Sequence, residues 1–446
     1  MGNRAAEIAL STEEISREDD WLAELGLDPP SGGLLLERPY AAPITRRSFV
    51  APARWYWNEA PESLHPRDLI EDLRYLQQAM KLAYVGWETA ELRGWDFLAF
   101  FEDWRRDLRR ATGPLPVRDA FVQWQKLLDF QLDNHSGPVV SNAFQRHSRT
   151  LIPDQPEENA RAAWMIEPRG LRRCWVRSAP SGEHPFDPAR REESFRLLPC
   201  SGRLARDIVY IRVPRTFSYE MSAGMPDANP TDTIVFDLRG NRGGAGEMIL
   251  PSVERLVGPL RVAYGVRSKV SCLTHALAWG HTVSQLKDVS VPLTGSALAI
   301  VREALARVTA PGTDDCAVRW QERTAAWTWR DRRFVPGETP RVIVLIDRDC
   351  GSDGELLVFL LGSLPGSVIV GPNTAGVCGF IRPGYFVLPH TRVCFRLAMA
   401  MTDLYGDGRA VDGYGLEGDV LFPPDRVIDA EALIALVQLL RPGYTR

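Results

Sequence analysis

Two segments of the chain combine residue types suited to acyl transfer: Thr233–Gly246, TIVFDLRGNRGGAG, and Val342–Glu355, VIVLIDRDCGSDGE. Each opens on a β-branched run that carries no charge until its end, as in a strand buried on both faces. Each then breaks into a glycine-rich turn. In the second turn Ser352 stands just before the apolar run Leu356–Leu361, which reads as a helix. A serine at a strand–turn–helix junction is a nucleophile beside N–H groups that a helix leaves unpaired, and such donors stabilise a developing oxyanion. In the first turn Gly243 and Gly244 let backbone N–H groups approach a ligand with no side chain in the way.

The elements that must position these turns are legible around them. Ile208–Val213 (IVYIRV) reads as a strand, and an α/β core runs from Thr233 to about Val427, interrupted by Ala263–Pro340. Inside the interruption, Ser296–Val308 predicts a helix and Trp320–Phe334 a tryptophan-rich hairpin; Asp429–Leu440 predicts a closing helix. Upstream, DLIEDLRYLQQAMKLAY, Trp95–Leu108 and Val117–Leu132 repeat apolar residues at threes and fours, the helical period. Their aromatics, from Trp87 to Trp124, fit a ligand box or a core, and the helical spacing favours core. The expected division is an N-terminal extension at 1–45, partly disordered; a helical domain at 46–135; a β-rich connecting segment at 136–206; and an α/β core at 207–446 with its interruption at 263–340. The fold class is α/β, or α+β taken over several domains.

Composition sets the outer bounds. A chain of 446 residues exceeds one ordinary core. Its 45% hydrophobic and 25% charged residues are those of a soluble globular protein. A net charge of -4 without long charged blocks gives no footprint for nucleic acid or an anionic membrane. Seven cysteines without paired short spacing argue against a disulfide framework and a zinc site. The opening MGNRAAEIALSTEEISREDDW lacks the apolar stretch of a secretory signal, and no run approaches a membrane span, so a cytoplasmic protein is expected.

The turn DLRGNRGG matches the D-x-R-x-N-x-G-G signature of the C-terminal-processing (tail-specific) and tricorn-core serine peptidases. Ser352-Asp353-Gly354-Glu355 resembles that family's nucleophile segment, Gly371…Thr374…Gly376 its following loop, and Tyr385–Pro389 and Asp412–Val420 two further segments. The resemblance runs from about residue 66 to 440. It implies a crotonase/ClpP-like core, Ser352 as nucleophile, and an oxyanion hole from the N–H groups of Asp353 and of the Gly243–Gly244 pair. Asp237, Arg239 and Asn241 then hold the glycine turn.

The family has two catalytic subtypes. Processing peptidases carry a lysine base in the loop after the Gly…Thr pair, where this chain has Val377, and no lysine follows Lys287. The tricorn-like subtype uses a histidine from the end of the helical region, in a segment resembling L-x-D-x-H; Leu132-Asp133-Asn134-His135 fits that place. The resemblance thus implies His135 as base, with Asn134 where the family has a small hydroxyl residue and Asp412 at its acidic position; Glu417 is an alternative acid. Histidine near neutrality both takes and returns a proton. His390, after the Tyr385–Pro389 strand, is the rival base.

Other readings fare worse. An α/β-hydrolase needs the order Ser, acid, His, and no Asp lies between Gly354 and His390. The glycine spacing of GNRGGAG is not that of a dinucleotide site. The expected partner is a short or unfolded peptide, with neither metal nor organic cofactor; a homo-oligomer stays open. A ligase or cyclase using the same acyl-enzyme, and a non-catalytic binding protein on the same scaffold, are the alternatives.

Overall fold

The computed structural model describes residues 34–36, 44–45, 61–92, 95–117, 119–120, 123–124, 135–138, 160–167, 170–177, 188–214, 225–244, 246–258, 260, 263–271, 273–274, 277, 319–326, 340–391, 393–406, 411–421 and 428–440. Two units divide the chain: the first takes Met1–Leu151, Val266–Arg323 and Phe380–Met401, the second Ile152–Gly265, Thr324–Gly379 and Thr402–Arg446.

In chain order the strands are β1 (Leu34–Leu36), β2 (Ile44–Thr45), β3 (Ser63–Leu64), β4 (Leu115–Pro116), β5 (Gly137–Pro138), β6 (Ala160–Glu167), β7 (Gly170–Arg177), β8 (Ser201–Ala205) and β9 (Ile208–Arg212). There follow β10 (Thr233–Asp237), β11 (Ala263–Val270), β12 (Arg319–Ala326), β13 (Arg341–Leu345), β14 (Val368–Val370), β15 (Phe380–Val387), β16 (Cys394–Asp403) and β17 (Val420–Leu421). The helices are α1 (Pro66–Ala83), α2 (Trp87–Leu92), α3 (Phe97–Arg110), α4 (Pro188–Leu197), α5 (Gly246–Val257), α6 (Asp353–Gly362) and α7 (Ala430–Leu440).

The second unit is built on the uncharged runs. Its eight-stranded sheet has the order β7-β6-β17-β14-β13-β10-β9-β8. The six strands from β6 to β9 in that order pair in parallel, and β7 and β8 close the edges antiparallel. All five residues of β10 are buried, the burden of a central parallel strand with both faces covered. Tyr210, Val235 and Ile343 share one face and join a core with Leu433, Leu436, Val437 and Leu440 of α7. Helix α6 packs against β13, β14 and α5. The segment 136–206, read from sequence as β-rich, supplies β6, β7 and β8 to this same sheet and also the helix α4.

In the first unit, α1 starts at a proline, which loses no helical hydrogen bond there, and buries Leu69, Leu73, Leu76 and Met80 at threes and fours. Asp96 caps α3 by accepting from the Ala99 N–H at 2.9 Å, and Phe97, Phe101, Trp104 and Leu108 form its buried stripe. The aromatics are core: Trp87 stacks on Phe97 with ring centroids 4.7 Å apart, and Trp124 is 1% exposed. This core also takes Phe380, Phe386, Phe395 and Leu397 from the antiparallel pair β15–β16. The helical region is therefore joined to a sheet of order β12-β11-β16-β15, with β5 paired to β16. The expected extension at 1–45, apart from the backbone of β1 and β2, lies outside the described residues, as do the expected helix 296–308 and the far half of the hairpin 320–334. Among the described residues no helix is long and apolar enough to cross a membrane.

Candidate active site

Because β10 and β13 are parallel neighbours with Asp237 opposite Leu345, their two glycine-rich turns leave the sheet side by side. Carboxyl ends of parallel strands are where open α/β sheets bind ligands. The turns are stitched together: Leu238 N–H donates to the Leu345 carbonyl at 2.9 Å and Gly351 N–H to the Asn241 carbonyl at 2.8 Å. Inside the first turn, the buried Asp237 carboxylate accepts from Arg239 Nε at 2.9 Å and from the Tyr210 hydroxyl at 2.8 Å. Burial and the Asp237 charge push the Tyr210 hydroxyl up, so it stays a neutral donor. Asn241 Oδ1 accepts the Gly243 N–H at 2.9 Å, an Asx turn that shapes the glycine pair.

Ser352 caps α6 with φ 55° and ψ −126°, a backbone conformation that glycine prefers. Gly243, at φ 93°, lies against it: a Cβ there would stand 2.6 Å from Ser352 Cβ and 3.1 Å from Asp353 N. Only glycine fits. Ser352 N–H donates to Glu355 Oε2 at 3.2 Å. Glu355 is wholly buried, and it also accepts Gly376 N–H and Val377 N–H, each at 2.8 Å, and the Thr374 hydroxyl. Burial pushes its carboxyl up, against hydrogen bonds that favour the ionised form. Beside it, burial drives the Cys350 and Cys378 thiols well above their ordinary range, which makes them poor nucleophiles.

The loop held by Glu355 reaches the acidic candidate. Gly376 carbonyl accepts Gly413 N–H at 2.7 Å, and Thr374 Oγ1 accepts Leu416 N–H at 2.6 Å. Asp412 is 4% exposed and lies on Gly379, where a Cβ would come within 1.5 Å of Asp412 Oδ2. Ser352, Asp353, Gly243, Gly244, Asp412 and Glu417 thus all belong to the second unit, with Gly244, Asp353 and Glu417 half-buried. His135 belongs to the first unit, in a half-buried turn leading into β5, and Asn134 lies outside the described residues.

The rival bases are engaged elsewhere in the first unit. His390 Nε2 lies 2.8 Å from Glu71 Oε2. Lys269 is buried, with Nζ 3.1 Å from the Tyr84 carbonyl and 2.8 Å from Glu88 Oε1. Two residues that organise the site escaped the sequence reading. Glu355 was visible there as the fourth residue of a capping box, S-x-x-E; Arg191, on α4, had no signal at all.

The sequence profile described as Peptidase family S41 matches residues 207–421. The match spans just under half of the chain. The S41 segment opens just before β9 and closes with β17, so it holds Gly243, Ser352 and Asp412 and excludes His135 and Arg191. Among solved structures, mature CPAF is 14% identical, with 86% of this chain and 99% of that one covered and a TM-score of 0.47. A putative peptidase from Parabacteroides merdae is 16% identical, with coverages of 85% and 97% and a TM-score of 0.42. The tricorn protease is 15% identical, with coverages of 57% and 19% and a TM-score of 0.28. No curated protein matches the chain.

Proposed function

We propose that the protein is a serine peptidase that cleaves short or unfolded peptides through an acyl-enzyme on Ser352, with His135 as its base. The observation that carries this reading is Ser352 itself: a nucleophile at the start of α6 in a glycine-like conformation, with Gly243 pressed against its Cβ. In this mechanism Ser352 Oγ attacks the scissile carbonyl as His135 takes the hydroxyl proton. The carbonyl oxygen becomes an oxyanion. Asp353 N–H, at the start of a helix, and Gly244 N–H stabilise it; Gly243 N–H joins them on releasing Asn241 Oδ1. His135 then returns the proton to the leaving amine, and water repeats the sequence to free the acid. Asp412 orients the imidazole.

Support for histidine over lysine comes from residues already placed. Val377 stands at the lysine position of the processing subtype, and Lys269 is committed to Glu88 and the Tyr84 carbonyl.

The test is a fluorophosphonate probe and a peptide library read by mass spectrometry, on wild type, Ser352→Ala and His135→Ala. Labelling and cleavage are expected in wild type and absent in Ser352→Ala. With a histidine base, kcat/KM rises with pH through the range where histidines ordinarily titrate, roughly 6–7. His135→Ala is expected to lower it by ~10³ or more. Labelling that persists in Ser352→Ala, or activity that survives His135→Ala and needs a lysine, overturns the reading.

A further inference from the structure

We propose that Arg191, outside the S41 segment, is a positioning residue that fixes the spacing between the glycine turn and the Ser352 loop. This rests on the reading of Ser352 as nucleophile. The guanidinium of Arg191 donates through one nitrogen to two carboxylates of the Asp347-Arg348-Asp349 turn, at 3.1 Å to Asp347 Oδ2 and 2.6 Å to Asp349 Oδ2. The other oxygen of Asp347 accepts N–H groups from both turns: Gly240 at 2.9 Å and Asp349 at 3.0 Å. A single carboxylate therefore joins the first turn to the second, and Arg191 holds that carboxylate.

The guanidinium also packs on the first turn directly. A Cβ at Gly240 would stand 3.1 Å from an Arg191 terminal nitrogen, and Gly240 has φ 75°, so this close approach needs glycine. Electrostatics give the contact weight. Asp347 is 2% exposed and has the Asp349 charge beside it, and burial pushes its carboxyl up. Arg191, 12% exposed, bonds both carboxylates, and they in turn hold its own pKa above the ordinary range. Removing it leaves buried Asp347 without its hydrogen-bonded cation beside Asp349, whose remaining partner is the exposed Arg242 at 3.7 Å, next to the turn that ends in Ser352. Repulsion then opens the Asp347–Gly240 link and lets the nucleophile drift from the glycine pair. Arg191 Nε and Nη2 bond Glu192 Oε1 at 3.2 and 3.1 Å, so the planar guanidinium engages three carboxylates at once, which a lysine ammonium does not match.

The experiment compares the full chain with Arg191→Ala and Arg191→Lys. Hydrogen exchange by mass spectrometry reads the turns, and the rate of fluorophosphonate labelling reads Ser352. In Arg191→Ala, faster exchange is expected in peptides covering 238–244 and 347–352, with strands β10 and β13 unchanged. Labelling should slow by roughly 10- to 100-fold, the scale of a displaced reacting group. Free guanidinium, well below concentrations that unfold proteins, should restore it where sodium chloride does not. Arg191→Lys should fall between. Unchanged exchange in Arg191→Ala overturns the proposal, as does slow labelling that guanidinium leaves slow while β10 and β13 also loosen. Failure of wild type to label removes the nucleophile reading instead, and the exchange result still decides whether Arg191 pins the turns.

Discussion

In the second unit, the buried carboxylates of Asp237, Asp347 and Glu355 all hold turns that follow β10 and β13 or the loop after β14. In the first unit, Asp72 accepts the N–H groups of His390 and Thr391 in the turn between β15 and β16, and Lys269 holds the carbonyl after α1. Each of those first-unit charges secures one turn. The second-unit charges converge on the short stretches 237–241, 347–355 and 374–377. Burying a charge costs several kcal/mol before its partners offset it. A chain that accepts that cost three times over neighbouring turns is holding backbone in an arrangement it would not keep unaided. Convergence of buried charge distinguishes the candidate site from the first unit more firmly than any one residue does.

The contrast breaks most sharply at Gly243→Ala. With φ 93° and a Cβ 2.6 Å from Ser352 Cβ, alanine must displace Ser352, and kcat is expected to fall by about 10²- to 10³-fold in steady-state assays. A raised KM at unchanged kcat would make the turn a binding element instead. Glu355→Gln comes next. An amide brings its own donors to a site where four donors already point inward, so one stays buried and unpaired at a cost of about 1–3 kcal/mol. Activity should drop by roughly 10²-fold through the displaced Ser352 loop, with a lower Tm; wild-type activity would strip Glu355 of its role. Lys269→Met, in the first unit, should leave kcat near wild type and lower stability by about 1–2 kcal/mol through the lost bonds to the Tyr84 carbonyl and Glu88. Lost turnover on an intact fold would reopen the lysine-base subtype.

The last effect concerns pH and leaves turnover untouched. Burial lifts Asp72 from 3.8 to about 6 in the folded chain. Folding then favours its protonated form, so its contribution is fully present below about pH 4 and is lost as pH rises through about 6. Wild type should gain stability relative to Asp72→Asn on acidification across that window, on the order of 1–3 kcal/mol in urea titrations. Parallel pH dependences in the two proteins would rule this out.

The sheet was legible because β10 and β13 are β-branched runs with charge at one end only and lead into glycine-rich turns, and helix α1 because Leu69, Leu73 and Leu76 keep the helical period. Domain limits were harder. Strands β6, β7 and β8 are arginine-bearing pieces; β7 and β8 pair with their chain neighbours β6 and β9, but the β6–β7 hairpin enters the main sheet by pairing with β17 far along the chain, and periodicity carries no such information. Likewise β15 and β16 lie within the stretch read as core, yet their apolar faces join the aromatics of α1 and α3. Within the site, Ser352 and Gly243 were visible because their chemistry is local. Arg191 was not, since its partners lie 156 and 158 positions away.

Ser352 is one of two non-glycine residues with positive φ among those described. Such a conformation costs roughly 1–3 kcal/mol that glycine would not incur. Selection for thermal robustness alone should therefore drive this position to glycine, yielding a sturdier but chemically silent protein. A mutational scan scored by abundance would then rank Ser352→Gly above wild type, and one scored by turnover would rank it last. The gap between those two rankings is a way to find nucleophiles without knowing a substrate.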